Sequence, residues 1–405
     1  MARREFDVIL YGATGFTGRQ TVGYFQAHAP ENVRYAIAGR NQAKLMALHA
    51  QLRLPESVAV IAADSADPDA IQALVQKTRV LLTTAGPYSL FGENIVRYCA
   101  ELGTHYVDIT GETAFFRDML DRYGASAERS GAKLVPLCGF DSVPADLAAY
   151  LVQKKLRALY DTGTLHARGY YSIGGGFNGG TFLSGLAMFE TGAYARMKAV
   201  DLLLPPDARG VAPPPDDVGA RLELAVDSWV APFVMARINT RVVHRSASLF
   251  AADGAPYGPA FGYAEYLKIG GRWNPVPALS MAAGMRAFET LGSIEAVRGV
   301  LRFLGPASGE GPSEQTIADG FYRLEVIGVG ENGKRVKVTM GDSRDPGNRA
   351  TVQFVCEAAL ALTEDLSKLP GGAARVGFLT PAVAFGDVLI ERLRRGGTEF
   401  LTEEL

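Results

Sequence analysis

The chain has 405 residues, of which 48% are apolar and 21% are charged, and its formal net charge is −2 at pH 7. This length favours roughly two or three domains, and the near-neutral charge without a dense Lys/Arg cluster argues against nucleic-acid binding. The three cysteines are far apart and the five histidines lack metal-ligand spacing, so we predict no disulfide framework and no metal site. An apolar run begins at Phe6, which leaves no room for a signal peptide, and we expect a cytoplasmic protein.

A glycine-rich turn follows that first apolar run, residues 6–11, and precedes a segment with helical character, residues 17–29. This strand–turn–helix context is typical of a dinucleotide site, where glycines let the backbone approach a pyrophosphate and amide groups at the helix N-terminus bind it. The spacing is Gly-x-x-Gly-x-x-Gly rather than the commoner Gly-x-Gly-x-x-Gly, and an ordinary turn is the alternative. We predict cofactor contacts for the whole turn: Gly12, Ala13, Thr14, Gly15, Phe16, Thr17 and Gly18.

Strands and helices alternate along the first 150 or so residues, at the spacing of βαβ units. Further apolar runs predict strands at residues 33–38, 58–63, 80–84, 105–109 and 133–137. These runs are nearly continuous, as expected for parallel strands that helices cover on both faces. The predicted fold is therefore α/β, with a Rossmann-type doubly wound parallel sheet.

Ligands of such a sheet bind beyond the carboxyl ends of the strands. The second strand is followed by Arg40, and Asn41 and Lys44 come shortly after it. An NAD site usually carries an acidic residue at this position, whereas the positive charges of Arg40 and Lys44 favour the 2′-phosphate of NADP. The alternative is that Arg40 is an ordinary surface residue. Asp64, after the third strand, either accepts a hydrogen bond from the adenine or caps the next helix. The fourth strand leads into residues that we expect beside the nicotinamide ribose: Thr84, Ala85, Gly86, Pro87 and Tyr88.

Tyr150 and Lys154 form a Tyr-x-x-x-Lys pair, the proton-transfer couple of short-chain dehydrogenases. Both residues fall opposite the apolar stripe of their helix, so a solvated helix face is the favoured interpretation and a catalytic pair is the alternative.

Several stretches together resemble the saccharopine dehydrogenase-like oxidoreductases, and among them the trans-acting enoyl reductase branch. Besides the glycine turn and residues 38–41, 86–88, 345–347 and 379–382, the more specific stretches are Tyr106-Val107-Asp108-Ile109-Thr110-Gly111-Glu112 and Gly139-Phe140-Asp141-Ser142-Val143-Pro144. The resemblance implies an NADP-binding oxidoreductase whose substrate domain is inserted before a C-terminal return to the sheet. Some members reduce imines, others reduce the C=C bond of an acyl chain held by a polyketide synthase, and some associate with lipid. Asn348 stands where relatives often carry tyrosine.

We accordingly predict an NADP-binding Rossmann domain over residues 1–148, an inserted α+β substrate or dimerisation domain over residues 149–345, and a C-terminal return to the Rossmann domain over residues 346–405. The predicted function is NADPH-dependent reduction of the C=C bond of an enoyl or polyketide acyl thioester, either small or carrier-bound. An imine or amino-acid oxidoreductase of the saccharopine dehydrogenase type, and a non-catalytic protein that binds NADP and lipid, are the alternatives. Contact with a polyketide synthase or a membrane surface, and a homodimer, stay open.

Reduction of an enoyl thioester requires stabilisation of charge at the thioester oxygen and a proton for the α-carbon. Tyr88, beside the expected nicotinamide, is the first candidate to orient the substrate or donate that proton. Asp141 and Ser142, at the end of the sixth strand, are further catalytic candidates. A structural role is the alternative for each, since strand ends need turn and capping residues.

The middle of the sequence is less specific. A glycine-rich turn at residues 174–181 either admits substrate or acts as a hinge. Arg237, Arg241 and Arg245 share a helix face and either bind a substrate anion or, as we favour, lie on a solvated surface. Residues 277–303 predict amphipathic helices that form an acyl groove, a dimer face or plain core. We expect strands at residues 222–230 and 261–269, a hairpin around Asn332-Gly333, and a last helix at residues 383–395.

Overall fold

A computed structural model describes residues 4–176, 179–304 and 311–405. Its first sheet is built from short, mainly buried, β-branched and apolar segments near the start of the chain, joined by one strand from near its end. The strands are β1 Phe6–Tyr11, β2 Tyr35–Gly39, β3 Ala59–Ala62, β4 Thr78–Thr83, β5 His105–Asp108, β6 Lys133–Val135 and β14 Gly377–Phe378. All their pairings are parallel, in the order β14-β6-β5-β4-β1-β2-β3. The chain reverses direction of winding between β1 and β4, which is where ligands of such sheets bind.

Helices cover both faces of this sheet. They are α1 Phe16–His28, α2 Gln42–Gln51, α3 Pro68–Gln76, α4 Tyr88–Phe91, α5 Glu93–Leu102, α6 Thr113–Ser130 and α7 Val143–Tyr160. Asn41 caps α2 by accepting from the Lys44 backbone N–H (2.9 Å), and Asp67 caps α3, with Pro68 at the first helical position. The predicted doubly wound parallel sheet is therefore confirmed.

The second sheet is mixed and follows α7. Its strands are β7 Thr164–Gly174, β8 Gly210–Val211, β9 Arg221–Glu223, β10 Ser228–Pro232, β11 Ala260–Lys268, β12 Phe321–Gly330, β13 Arg335–Asp342 and β15 Glu399–Glu404. They run in the order β15-β13-β12-β7-β11-β10-β9, with β8 beside β11. Strand β7 is parallel to β11 and antiparallel to β12, and the predicted Asn332-Gly333 hairpin joins β12 to β13.

The remaining helices surround this second sheet or return to the first. They are α8 Gly179–Glu190, α9 Ala193–Arg196, α10 Ala236–Ala252, α11 Val276–Gly292, α12 Glu295–Leu304, α13 Glu314–Ala318, α14 Thr351–Glu364 and α15 Pro381–Arg395. None of the helices in the described ranges combines the length and apolar character that a bilayer span requires. The predicted continuous strand at residues 222–230 is wrong. Glu223 accepts from the Ala225 backbone N–H and starts a 3-10 turn, which separates β9 from β10.

The C-terminal part serves both sheets. Helix α14 is almost entirely buried against α1, β4 and β5, and β14 extends the first sheet. The last strand, β15, instead pairs with β13 in the second sheet, so the prediction that all of residues 346–405 return to the Rossmann domain is corrected for residues 399–404. The boundaries at residues 148 and 345 stay predictions.

Candidate functional site

The glycine turn after β1 requires its glycines for steric reasons. Gly12 has a φ of +82°, and a Cβ there would lie 2.9 Å from the Ala85 backbone nitrogen. A Cβ at Gly18 would overlap the Gly12 carbonyl oxygen. Thr84 ties the end of β4 to this turn, because its backbone N–H donates to the Tyr11 carbonyl (3.1 Å). Only glycine therefore allows α1 to begin so close to the ends of β1 and β4.

The first turn of α1 fits an anionic group. Its N-cap residue is Gly15, which offers no side chain to the amide groups, and the first turn contains no acidic residue. Gly15 is exposed and Thr14 is half-buried, so the start of α1 is open to solvent at the switch point of the sheet. This arrangement fits the pyrophosphate of a dinucleotide, as the sequence predicts.

The ends of β2 and β3 carry the side chains predicted for the adenosine half. Arg40 is exposed, and within the described ranges its guanidinium makes no hydrogen bond or ion pair. Lys44 is also exposed, whereas Asn41 uses its side chain to cap α2. Asp64 accepts from the Ala66 backbone N–H (3.0 Å) and holds the turn after β3. It is Asp67, not Asp64, that caps the following helix.

Thus two cations stand where a 2′-phosphate is expected, and the residues present fit NADP. The turn after β4 is open on one side: Gly86 is exposed, and Ala85 and Pro87 are half-buried. The Gly86–Pro87 peptide bond is cis. Ser184 of α8 approaches this turn, since its Oγ would lie 3.7 Å from a Cβ at Gly86. Helix α8, which follows the first strand of the second sheet, therefore packs beside the turn after β4.

Tyr88 does not present its hydroxyl to this site. The side chain is 4% exposed, and the hydroxyl donates to the Thr83 carbonyl (3.1 Å) and accepts from the Ile109 backbone N–H (3.3 Å). Burial, reinforced by Asp108, Glu112 and Asp141, raises the pKa of Tyr88 well above its ordinary value. The assignment of Tyr88 as proton donor is corrected on this geometry: its hydroxyl joins the ends of β4 and β5.

A polar network that local sequence patterns do not predict holds these strand ends together. Tyr106 donates to Asp108 Oδ2 (2.6 Å), and Asp108 Oδ1 accepts from the backbone N–H groups of Thr110 (3.0 Å) and Leu137 (2.8 Å). Glu112 in turn accepts from the backbone N–H of Tyr88 (2.7 Å). Burial raises the pKa of Asp108 to about 6, although these hydrogen bonds oppose the shift. Residues 106–112, one of the stretches that carry the family resemblance, thus hold together the ends of β4, β5 and β6.

Asp141 differs from every other acid near the site. It follows β6, and a Cβ at Gly111 would lie 3.4 Å from its Oδ2. Its carboxyl accepts no hydrogen bond and forms no ion pair with the described residues, although the residue keeps partial solvent exposure. Burial raises its pKa to about 7. Asp141 is therefore an unpaired acid with a raised pKa, beside Gly111 and close enough to Tyr88 to interact with it electrostatically.

Ser142 does not reach the cleft. Its side chain is fully buried, and its Oγ donates to Asn239 Oδ1 (3.4 Å). The assignment of Ser142 as a residue that contacts substrate is therefore corrected to a supporting role beside Asp141.

The arginines of α10 lie neither on a solvated face nor free for a substrate anion. Arg241 is 1% exposed, and its guanidinium contacts Asp216 (2.5 Å) and the carbonyls at the end of α9. Arg245 is 4% exposed and donates to the carbonyls of Leu203 and Phe378. Arg237 pairs with Asp216 and Glu289. Both predicted roles of this row are wrong, because half-buried carboxylates and backbone carbonyls already engage the three guanidinium groups.

The Tyr150–Lys154 pair and the amphipathic helices α11 and α12 lie at the protein surface. Tyr150 and Lys154 both contact Asp387 on α15 (3.3 and 2.5 Å), and Lys154 is exposed, which agrees with a solvated face. Met281, Phe288 and Phe303 on α11 and α12 are exposed, the last by 88%, so these helices present an apolar surface instead of plain core. Part of the glycine-rich turn at residues 174–181, residues 177 and 178, lies outside the described residues.

The comparisons with known proteins agree with this fold and with NADP as its cofactor. Residues 8–159 match the family model of the saccharopine dehydrogenase NADP-binding domain. A structure of apo saccharopine dehydrogenase (L-Glu forming) from Saccharomyces cerevisiae has a TM-score of 0.54 at 12% identity, covering 99% of this chain and 100% of that one. A homospermidine synthase from Legionella pneumophila, in complex with NAD, has a TM-score of 0.53 at 11% identity, covering 99% and 92%. The fold and the site define an NADP-dependent oxidoreductase of the saccharopine dehydrogenase type.

Relatives found by sequence identify the family within this class of oxidoreductases. The chain is 32% identical to a trans-acting enoyl reductase of Mycobacterium tuberculosis, covering 100% of this chain and 99% of the relative. It is 37% identical to a second M. tuberculosis protein, provisionally named for the same activity, covering 99% and 98%. The chain belongs to the family of the trans-acting enoyl reductases.

Proposed function

We propose that this protein reduces the carbon–carbon double bond of an enoyl or polyketide acyl thioester with NADPH, and that Asp141 is the proton donor. The observation that carries the proposal is the unpaired Asp141 carboxyl, which lies beside Gly111, after β5, and whose pKa burial raises to about 7. A general acid works best when its pKa is near the working pH. Full-length relatives named as enoyl reductases support the same chemistry.

The chain's own residues have distinct parts in this reaction. NADPH, when bound, supplies the hydride that the β-carbon receives. Arg40, Lys44 and the first turn of α1 hold the phosphate groups of the cofactor. Asp141 holds a proton on its carboxyl and donates it to the α-carbon, and its partial exposure allows solvent to replace that proton. Gly111 keeps space beside the carboxyl, since a Cβ there would also lie 3.1 Å from Ile238 Cδ1.

The alternative of imine reduction in an amino-acid substrate requires arginines that are free to bind several carboxylates. The candidate arginines on α10 are instead occupied: Arg241 and Arg237 by Asp216, and Arg245 by backbone carbonyls. This occupation favours a substrate with little negative charge near the reacting carbon, as in an acyl thioester.

The test is NADPH oxidation by the purified protein, followed by absorbance over a panel of enoyl thioesters, free and carrier-bound. We expect turnover with at least one of them, and a loss of about 10²–10⁴-fold in kcat for Asp141→Asn. Lys154→Gln is the matched control and should retain activity, because Lys154 is exposed and pairs with Asp387 of α15 at the surface. NADPH binding without oxidation of the cofactor on the whole panel would instead support the non-catalytic alternative.

The partners and location form a further part of the proposal. A carrier-bound acyl chain on a polyketide synthase fits relatives that are named trans-acting, and faster turnover with carrier-bound than with free thioesters would support it. The exposed apolar residues of α11 and α12 are where a second copy or a membrane surface would bind; sedimentation with and without liposomes tests both. A cytoplasmic location is supported by the buried, unpaired state of Cys99, Cys138 and Cys356.

A further inference from the structure

A chain of buried polar side chains runs from the turn that carries Asp141 into the second sheet. Ser142 Oγ donates to Asn239 Oδ1 (3.4 Å), and Asn239 Nδ2 donates to Glu265 Oε1 (2.6 Å). Tyr263 donates its hydroxyl to the other Glu265 oxygen (3.1 Å). None of these four side chains is more than 3% exposed. The chain therefore links the end of β6 to α10 and β11 without contact with solvent.

Glu265 is the unusual member of this chain. Among the residues that the structure describes, no cation pairs with it, and burial raises its pKa to about 8 in spite of hydrogen bonds from Asn239 and Tyr263. A neutral buried acid is hard to accommodate unless its oxygens are satisfied. Because the Asn239 amide group donates to Glu265, its carbonyl oxygen faces Ser142 and accepts from it. The contact with Glu265 thus supports this orientation of Asn239.

The residue before Asp141 is held by aromatic rings of the same sheet. The Phe140 ring packs edge-on against Tyr171 of β7 and Tyr322 of β12, with centroids 5.9 and 5.1 Å apart. Ser142, on the other side, is held by Asn239. The Asp141 carboxyl itself has no hydrogen bond to the described residues. Its position is consequently set by its two neighbours in the chain.

We propose that Asn239 and Glu265 are positioning residues, which hold Ser142 and thereby direct the Asp141 carboxyl toward the reacting carbon. This inference deepens the proposed function and rests on it, because only in the proposed reaction does Asp141 deliver a proton. The inference gives a role to Asn239 and Glu265, which are too buried to contact substrate.

The first readout is the pKa of Asp141, measured by an NMR titration of protein labelled with ¹³C-aspartate. The carboxyl signal of Asp141 is assigned by its absence from the spectrum of Asp141→Asn. The titratable groups facing this carboxyl are Tyr88 from α4 and Tyr171 from β7. We expect Asn239→Ala to loosen the turn, admit water and lower the pKa of Asp141 toward its ordinary range. Glu265→Gln should keep the pKa of Asp141, because glutamine still accepts from Asn239 and can donate to the Tyr263 oxygen.

The second readout is kinetic. Asn239→Ala should lower kcat by about 10–100-fold, the size expected for a misplaced catalytic group, with KM and NADPH affinity within about threefold of wild type. Glu265→Gln should stay within about threefold in kcat. Ser248→Ala on the same helix is the matched control, since its buried hydroxyl has no partner among the described residues. It should change neither readout.

If Asn239→Ala does not fold, Ser142→Ala breaks the same chain at its other end with a smaller change in volume, and the same two effects are expected. An unchanged Asp141 titration and kcat in the folded variant would overturn the inference, as would an equal loss in Glu265→Gln. Should wild type oxidise no NADPH with any thioester, the proposed function fails. The NMR titration then still decides whether Asn239 positions Asp141.

Discussion

Replacing Asp141 by asparagine should raise the stability of the protein while it removes the reaction. Burial raises the pKa of this carboxyl from its ordinary 3.8 to about 7, so the folded state binds the proton more tightly than the unfolded state. The stability that the protonated form contributes is complete below pH 3.8 and is lost as the pH rises to about 7. At about 1.4 kcal/mol per pH unit, the full loss is at most about 4 kcal/mol, and partial contact with solvent reduces it.

Asparagine has the same shape and does not ionise, so the variant avoids this loss. The advantage of Asp141→Asn over wild type should therefore grow by up to about 3 kcal/mol between about pH 5 and about pH 8. The assay is the free energy of unfolding in urea at both pH values, without NADPH, on the same transition. In parallel, kcat for NADPH oxidation by wild type should fall above about pH 7 as the carboxyl loses its proton.

Two results would refute this reasoning. A stability difference between variant and wild type that is the same at both pH values would mean that the carboxyl is not raised in pKa by burial. A variant that keeps most of the wild-type kcat would mean that the proton comes from elsewhere, such as an ordered water. The first result concerns the environment of Asp141 and the second concerns its role, so the two can be separated.

Three further predictions concern the cofactor turn and Tyr88. Arg40→Ala should lower the affinity for NADPH by about 1.5–3 kcal/mol and leave that for NADH nearly unchanged; an intact preference for NADPH in fluorescence titrations would contradict the assignment. Gly18→Ala should abolish NADPH binding or lower stability by about 1–3 kcal/mol, because the added methyl overlaps the Gly12 carbonyl; unchanged binding and melting temperature would argue against the tight turn. Tyr88→Phe should lose about 1 kcal/mol of stability with its bond to Thr83 and keep kcat within about threefold; a lost reaction in a stable variant would restore a catalytic tyrosine.

Local patterns predicted much of the first sheet. Its strands are continuous apolar runs, and turn and capping residues such as Asn41 and Pro68 mark the helix starts, because these effects act within one turn of the chain. The glycine turn was recognisable for the same reason, since the steric demand on Gly12 and Gly18 arises between adjacent elements. The hairpin at Asn332-Gly333 likewise depends on local backbone preference.

The errors share a different physical origin. A row of arginines at helical spacing looks solvated, but Arg241 is buried because Asp216 and distant carbonyls compensate its charge. The direction of the Tyr88 hydroxyl depends on the end of β5, and the partner of Ser142 is 97 residues away. Such contacts are created by packing between elements, which spacing along the sequence does not encode.

The pairing of β15 with β13 has a consequence for synthesis and engineering. Ribosomes deliver the chain from its N-terminus, so β13 keeps an open edge until residues 399–404 have emerged and docked. Deletion of these residues would leave that edge available for association between molecules. A crystallisation or expression strategy should therefore preserve this strand, and a fusion placed after it needs a spacer that lets the strand add to the sheet.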